Sequence, residues 1–73
     1  DGVANWNWDD IEKYIGMSRI EILSDISKTI QIIPSIDKAD VITDLVGEAL
    51  PAEQQGLKRE IVDRIEELID KEQ

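Results

Sequence analysis

The chain has 73 residues, room for one small domain, and 41% of them are apolar with no Phe among them. Eight basic against 17 acidic residues leave a formal net charge of −9, which repels nucleic acid and anionic membrane surfaces and steers basic proteins toward the chain. With no Cys and no His there is no disulfide, thiolate nucleophile, imidazole proton shuttle or ordinary structural zinc site.

The first segment, "NWNWDDIEKYIG", holds both tryptophans, Trp6 and Trp8, and the one tyrosine, Tyr14. A short helix is predicted over 8–15, capped by Asn7, with Asp9 and Asp10 in its first turn and Gly16 ending it. Trp8 is in phase with Ile11 and Ile15 and is expected in the core. Two residues earlier, Trp6 points elsewhere. It either packs on the domain, the preferred reading, or stands as an apolar anchor for a partner. Asn5, Asn7 and Asp9 alternate like calcium ligands, but Asp10 takes the place of the loop glycine and Gly16 that of the closing Glu, so no metal site is expected.

The second helix is predicted over 19–33. Ile22, Leu23, Ile26, Ile30 and Ile33 recur at spacings of three and four, which marks one buried face. Ser18 and Glu21 have the spacing of a capping box, and Pro34 stops the helix.

The third helix is predicted over 36–50, with Ser35 or Asp37 as its cap and Pro51 after its end. Its apolar stripe is Val41, Ile42, Leu45, Val46, Ala49 and Leu50. Gly47 interrupts good helix formers and is expected to permit a close helix crossing. Asp40, Asp44 and Glu48 stand four apart in one acidic row, with Asp37 beside its start and Lys38 the one base of this helix. Like charges at that spacing repel by a few tenths of a kcal/mol per pair, so folding alone does not ask for them. The row reads either as a solvated face or as a recognition surface for a basic partner.

The fourth helix is predicted over 52–71, though Gly56 can delay its start to Leu57. Leu57, Ile61, Val62, Ile65, Leu68 and Ile69 form its buried face, and Glu60–Arg64 and Glu67–Lys71 have the spacing of favourable ion pairs. No stretch alternates apolar and polar residues long enough to be a strand. The expected fold is therefore all-α, a compact bundle of four helices joined by short connections, one short at the N-terminus and three longer. A chain that starts without Met reads as a single domain excised from something larger, and its lack of Cys suits the cytoplasm.

Ser35, at the head of the acidic segment "SIDKADVITDLVGEAL", resembles the modified serine of acyl carrier proteins. That resemblance covers residues 35–50 and implies a phosphopantetheine arm on Ser35, with the acidic helix behind it read by basic partner enzymes. The chain departs from the family's Asp-Ser-Leu signature, because Pro34 precedes Ser35 where a Gly-containing loop is expected. A helix cap is the preferred reading of Ser35. The segment "ALPAEQQGLKREIVDRIEELI" is similar to the opening helix of the peptide-binding domain of poly(A)-binding proteins, without that family's Lys-Ile-Thr-Gly-Met-Leu-Leu-Glu signature after it.

Glycines at 2, 16, 47 and 56 are too scattered for a phosphate-binding loop, and so small a bundle is expected to leave little room for a pocket of several hundred cubic ångströms. The expectation is a non-catalytic docking or adaptor domain, without cofactor, that meets a basic protein through Asp40, Asp44 and Glu48, with Trp6 as an anchor. The alternatives are a carrier domain loaded at Ser35 and a self-associating bundle, natural or designed, whose apolar faces meet in a homodimer.

Overall fold

A computed structural model describes residues 3–71. These form a 3-10 turn, Val3–Asn5, and four α-helices: α1 Trp8–Ile15, α2 Arg19–Ile32, α3 Lys38–Ala49 and α4 Lys58–Lys71, with a 3-10 segment Ala52–Leu57 leading into the last. No strand occurs among the described residues, and the all-α expectation holds.

The starts of α1 and α2 are written in the sequence. The Asn7 side chain accepts from the Asp10 amide, and the Asp10 carboxylate accepts from the Asn7 amide. Ser18 and Glu21 make the same reciprocal pair, and the Glu12 carboxylate accepts from the Arg19 amide at 2.6 Å. Between these caps Gly16 takes the left-handed conformation, φ 71°, that a side chain disfavours, and turns α1 into α2.

The bounds of the other elements shift by one or two residues from those predicted, save the start of the last helix. Ile33, before Pro34, is pushed out of helical geometry (φ −126°, ψ 81°), so α2 stops at Ile32. Ile33 thereby leaves the buried face on which its spacing put it and is 46% exposed. A turn closed by the Ile36 amide on the Ile33 carbonyl follows. Asp37 is the residue in extended geometry at the N-cap of α3. The cap is thus not Ser35, which is exposed in the turn two residues earlier, and Asp37 makes no side-chain cap bond. At its other end α3 yields to extended Leu50 before Pro51. The Gln55 side-chain amide then donates to the carbonyls of Gly47 and Leu50, both at 3.0 Å, and satisfies acceptors that the end of a helix leaves open. Both sequence options for the start of the last helix are realised in part: residues 52–57 are wound as 3-10, and the α-helix begins after Leu57.

α3 and α4 make the most extensive contact. α2 lies against α3, and α1 and the N-terminal turn lie against α4. The core between them is entirely aliphatic, with Ile11, Ile22, Ile42, Ile61, Ile65 and Val46 fully buried and no polar residue buried among the described ones. Trp6 and Trp8 pack at the rim of this core and stay half-buried, so Trp8 is not the central residue that its phase suggested.

Gly47 has a different surrounding from the one its position suggested. A β-carbon there would meet the Lys58 side chain, Cδ at 3.3 Å and Nζ at 3.8 Å, and no backbone of another helix. A lysine chain can move aside, whereas Ala in a helix interior is favoured over Gly by about 1 kcal/mol. Gly47→Ala is therefore expected to stabilise the domain by about 0.5–1 kcal/mol. Urea unfolding should show a higher midpoint at an unchanged slope.

Candidate functional site, an acid-walled groove between two helices

Successive ridges of α3 explain the surface it shows next to α2. Val41, Leu45 and Ala49 stand one turn apart and form one ridge, and Asp44 and Glu48 form the neighbouring ridge, turned by about 100°. On α2, Asp25 and Thr29 are likewise one turn apart, beside the buried pair Ile22 and Ile26. The two helices touch along their inner faces and diverge outside them.

The result is a solvent-open groove of about 570 Å³. Val41, Leu45 and Ala49 make its floor, extended at one end by Ile15 and Met17 from the α1–α2 corner. Its walls carry Asp25 and Thr29 on one side and Asp44 and Glu48 on the other. So small a bundle is expected to leave little room for a pocket of several hundred cubic ångströms, and the groove, open on its outer side, exceeds that expectation. With Ala49 and Thr29 among the facing residues, the side chains are too small to close the gap. Among the described residues no base is paired with Asp25, Asp44 or Glu48; the ion pairs formed there are Lys38–Asp70, at 3.6 Å, and Arg64–Glu67, at 3.0 Å.

The residues singled out in the sequence are thus distributed unequally. Asp44 and Glu48 line the groove, while Asp40 continues their row one turn outside it, exposed in the first turn of α3. Trp6 is not part of the groove. It stacks on Tyr14 with ring centroids 4.6 Å apart, and its carbonyl accepts a 2.6 Å hydrogen bond from Nε of Arg64 on α4. Ser35 sits in the α2–α3 turn, also outside the groove lining.

Asp25 and Met17 were not singled out in the sequence, and Arg64 only as an ion-pair partner of Glu60. Asp25 is one acid of a mixed helix, and only the packing of α2 on α3 brings it opposite Glu48's ridge. Arg64 has the spacing of a surface partner for Glu60, yet its side chain is only 11% exposed and its guanidinium joins Glu67 and the Trp6 carbonyl instead.

No family model, curated protein or solved structure matches the chain.

Proposed function

We propose that this is a non-catalytic docking domain that receives a basic protein segment at the groove between α2 and α3. The observation that carries the reading is the groove itself: a space of about 570 Å³ with an apolar floor, carboxylates on both walls and no base paired to them among the described residues. A folded chain gains nothing from like charges set four apart along α3. Charge of one sign around an apolar floor gains most when a ligand of the opposite sign is desolvated against it. Asp40 extends the attractive field along the approach to the groove. In this reading Trp6 serves as a peripheral contact on the α1–α4 side, since its ring is already half-covered by the domain and stacked on Tyr14.

The test separates this surface from the general negative charge of the chain. A fluorescein-labelled oligo-lysine peptide is titrated against three proteins: the native chain, Asp40→Asn with Asp44→Asn and Glu48→Gln, and a control with Glu60→Gln, Asp63→Asn and Glu66→Gln on α4. Both variants lose three negative charges. The α3 variant is expected to weaken binding by about tenfold or more, and the α4 control by less than about threefold. Affinity should fall steeply as salt rises from about 0.01 to about 0.15 M, where the Debye length shrinks from about 30 to about 8 Å. Equal weakening in the two variants would make the α3 row an ordinary solvated face.

A further inference from the structure

From the shape and polarity of the groove, and resting on the docking reading above, we infer that its occupant is an amphipathic helix with an apolar stripe flanked on both sides by Lys or Arg. Three features of the groove lead there. The first is the backbone on either side. Both walls are α-helices whose main-chain groups are bonded internally, and no strand edge exists among the described residues. An extended segment laid in the groove would find no ladder to join, so its own amides and carbonyls would lose water without replacement. A helix satisfies its backbone before it arrives.

The second feature is the floor. Leu45, Ala49 and Met17 are half-buried and form an apolar strip that the bundle covers only in part, over the buried Val41 and Ile15. From Val41 to Ala49 the floor follows α3 for about 12 Å, a little over two helical turns. It therefore fits an apolar stripe recurring at three and four residues, and an unbranched thioether such as Met17 adapts to varied side chains.

The third feature is the placement of charge. Asp44 and Glu48 stand one turn apart, about 6 Å along the axis, on the α3 wall. Asp25 stands on the α2 wall across from them. A single basic edge would leave one wall unpaired. The complementary ligand carries two bases one turn apart on one side of its stripe and at least one on the other.

The protein itself supplies the reporter, because Met17 is its one methionine and its methyl resonance is unambiguous. The probes are two Leu/Lys peptides of about 16 residues with identical composition, one with Leu at helical period and one scrambled. Each is added at about 0.15 M salt to the native chain labelled at the methionine methyl. The periodic peptide is expected to bind about tenfold tighter than the scrambled one, to become helical on binding and to shift the Met17 methyl signal. Leu45→Gln is expected to remove the difference between the peptides. Circular dichroism verifies that this variant is folded, and the methyl shift in the native chain stands whether or not it is.

Equal affinity for the two peptides overturns the inference. If the α3 charge variant still weakens both, the docking reading survives without it. Tighter binding that leaves the Met17 methyl unmoved also overturns it, because the stripe would then sit elsewhere. Failure of both peptides to bind at about 0.15 M salt overturns the inference, and failure that persists at about 0.01 M salt overturns the docking reading with it. A methyl signal that moves on dilution of the protein alone would put a second copy of the chain in the groove and likewise overturn it.

Discussion

Replacing Ile65 by Ala is expected to lower the unfolding free energy by about 2–5 kcal/mol, the range for large-to-small changes at sites that cannot collapse. Ile65 lies in the middle of α4 with no exposed surface. That helix carries the contacts to α3, to α1 and to the N-terminal turn, so the space left by three missing carbons has rigid walls on several sides. The effect is large because the reserve is small. At about 0.05–0.15 kcal/mol per residue a chain of this size has about 4–11 kcal/mol in total. In thermal unfolding followed by circular dichroism the midpoint should fall by at least about 8 °C, given about 4–8 °C per kcal/mol for domains of this size. Ile20 supplies the comparison: it is the same residue type, 75% exposed in the first turn of α2. Ile20→Ala is expected to change stability by no more than about 0.5 kcal/mol. Similar losses at the two sites would mean that the core is not organised around α4.

The second large effect is expected at Arg64. Its Nε–H donates to the Trp6 carbonyl at 2.6 Å and its terminal nitrogen meets Glu67 at 3.0 Å. These two interactions are unequal. Glu67 is 63% exposed, and an exposed ion pair contributes about 0–1 kcal/mol. The bond to Trp6 is different, since it is part-buried, charge-assisted and ties residues 58 positions apart. Hydrogen bonds to charged groups contribute about 1.5–3 kcal/mol. Arg64→Ala is therefore expected to cost about 1.5–3 kcal/mol, and Glu67→Gln less than about 1 kcal/mol. The loss should have a local signature as well. Trp6 stacks on Tyr14, and Val3 in the preceding turn is buried against the core, so release of the Trp6 carbonyl loosens the whole N-terminal lead-in. Tryptophan emission should shift to the red in Arg64→Ala under conditions where circular dichroism still reports full helix content. Lys at this position cannot present the planar fork and should restore only part of the loss. Unchanged emission in Arg64→Ala would mean that the lead-in is held by Val3 and ring packing alone.

For the proposed docking surface, the decisive comparison is between charge and shape. Counterions and any basic protein respond to a net charge of −9. What singles out the α2–α3 groove is that its carboxylates border a partly covered apolar floor, so that pairing them also removes the remaining exposed surface of Met17, Leu45 and Ala49 from water. Asp40, outside the groove, should influence how fast a basic segment arrives more than how long it stays.

Much of the architecture can be read along the chain because it depends on neighbours in sequence. The caps at Asn7 and Ser18, the left-handed Gly16 and the stops before Pro34 and Pro51 are all local chemistry. Three to four residues of spacing decide which way an Ile or Leu faces, and α3 and α4 bury most of the stripes that this spacing marks, with Leu45, Ala49 and Leu57 covered only in part. Local rules falter where two of them compete. Ile33 belongs to a helical stripe by period but precedes a proline, and the proline prevails because it removes the helical conformation that the period presumes. Ser35 is a good capping residue, yet the turn after Pro34 ends with Asp37, not Ser35, at the first helical turn.

Local chemistry along the chain is enough to read that it is helical, where its helices begin and end to within about two residues except at the start of α4, which lies six residues past Ala52, and that a row of acids lines α3. Only the tertiary structure decided that Asp25 faces that row, that Met17 floors the space between, and that Arg64 holds the Trp6 carbonyl. The reason is one of range. Caps and periodicity act over a few residues, whereas a groove is the gap that two packed helices fail to fill. That gap depends on side-chain volumes from separate helices, set against each other only when the chain folds.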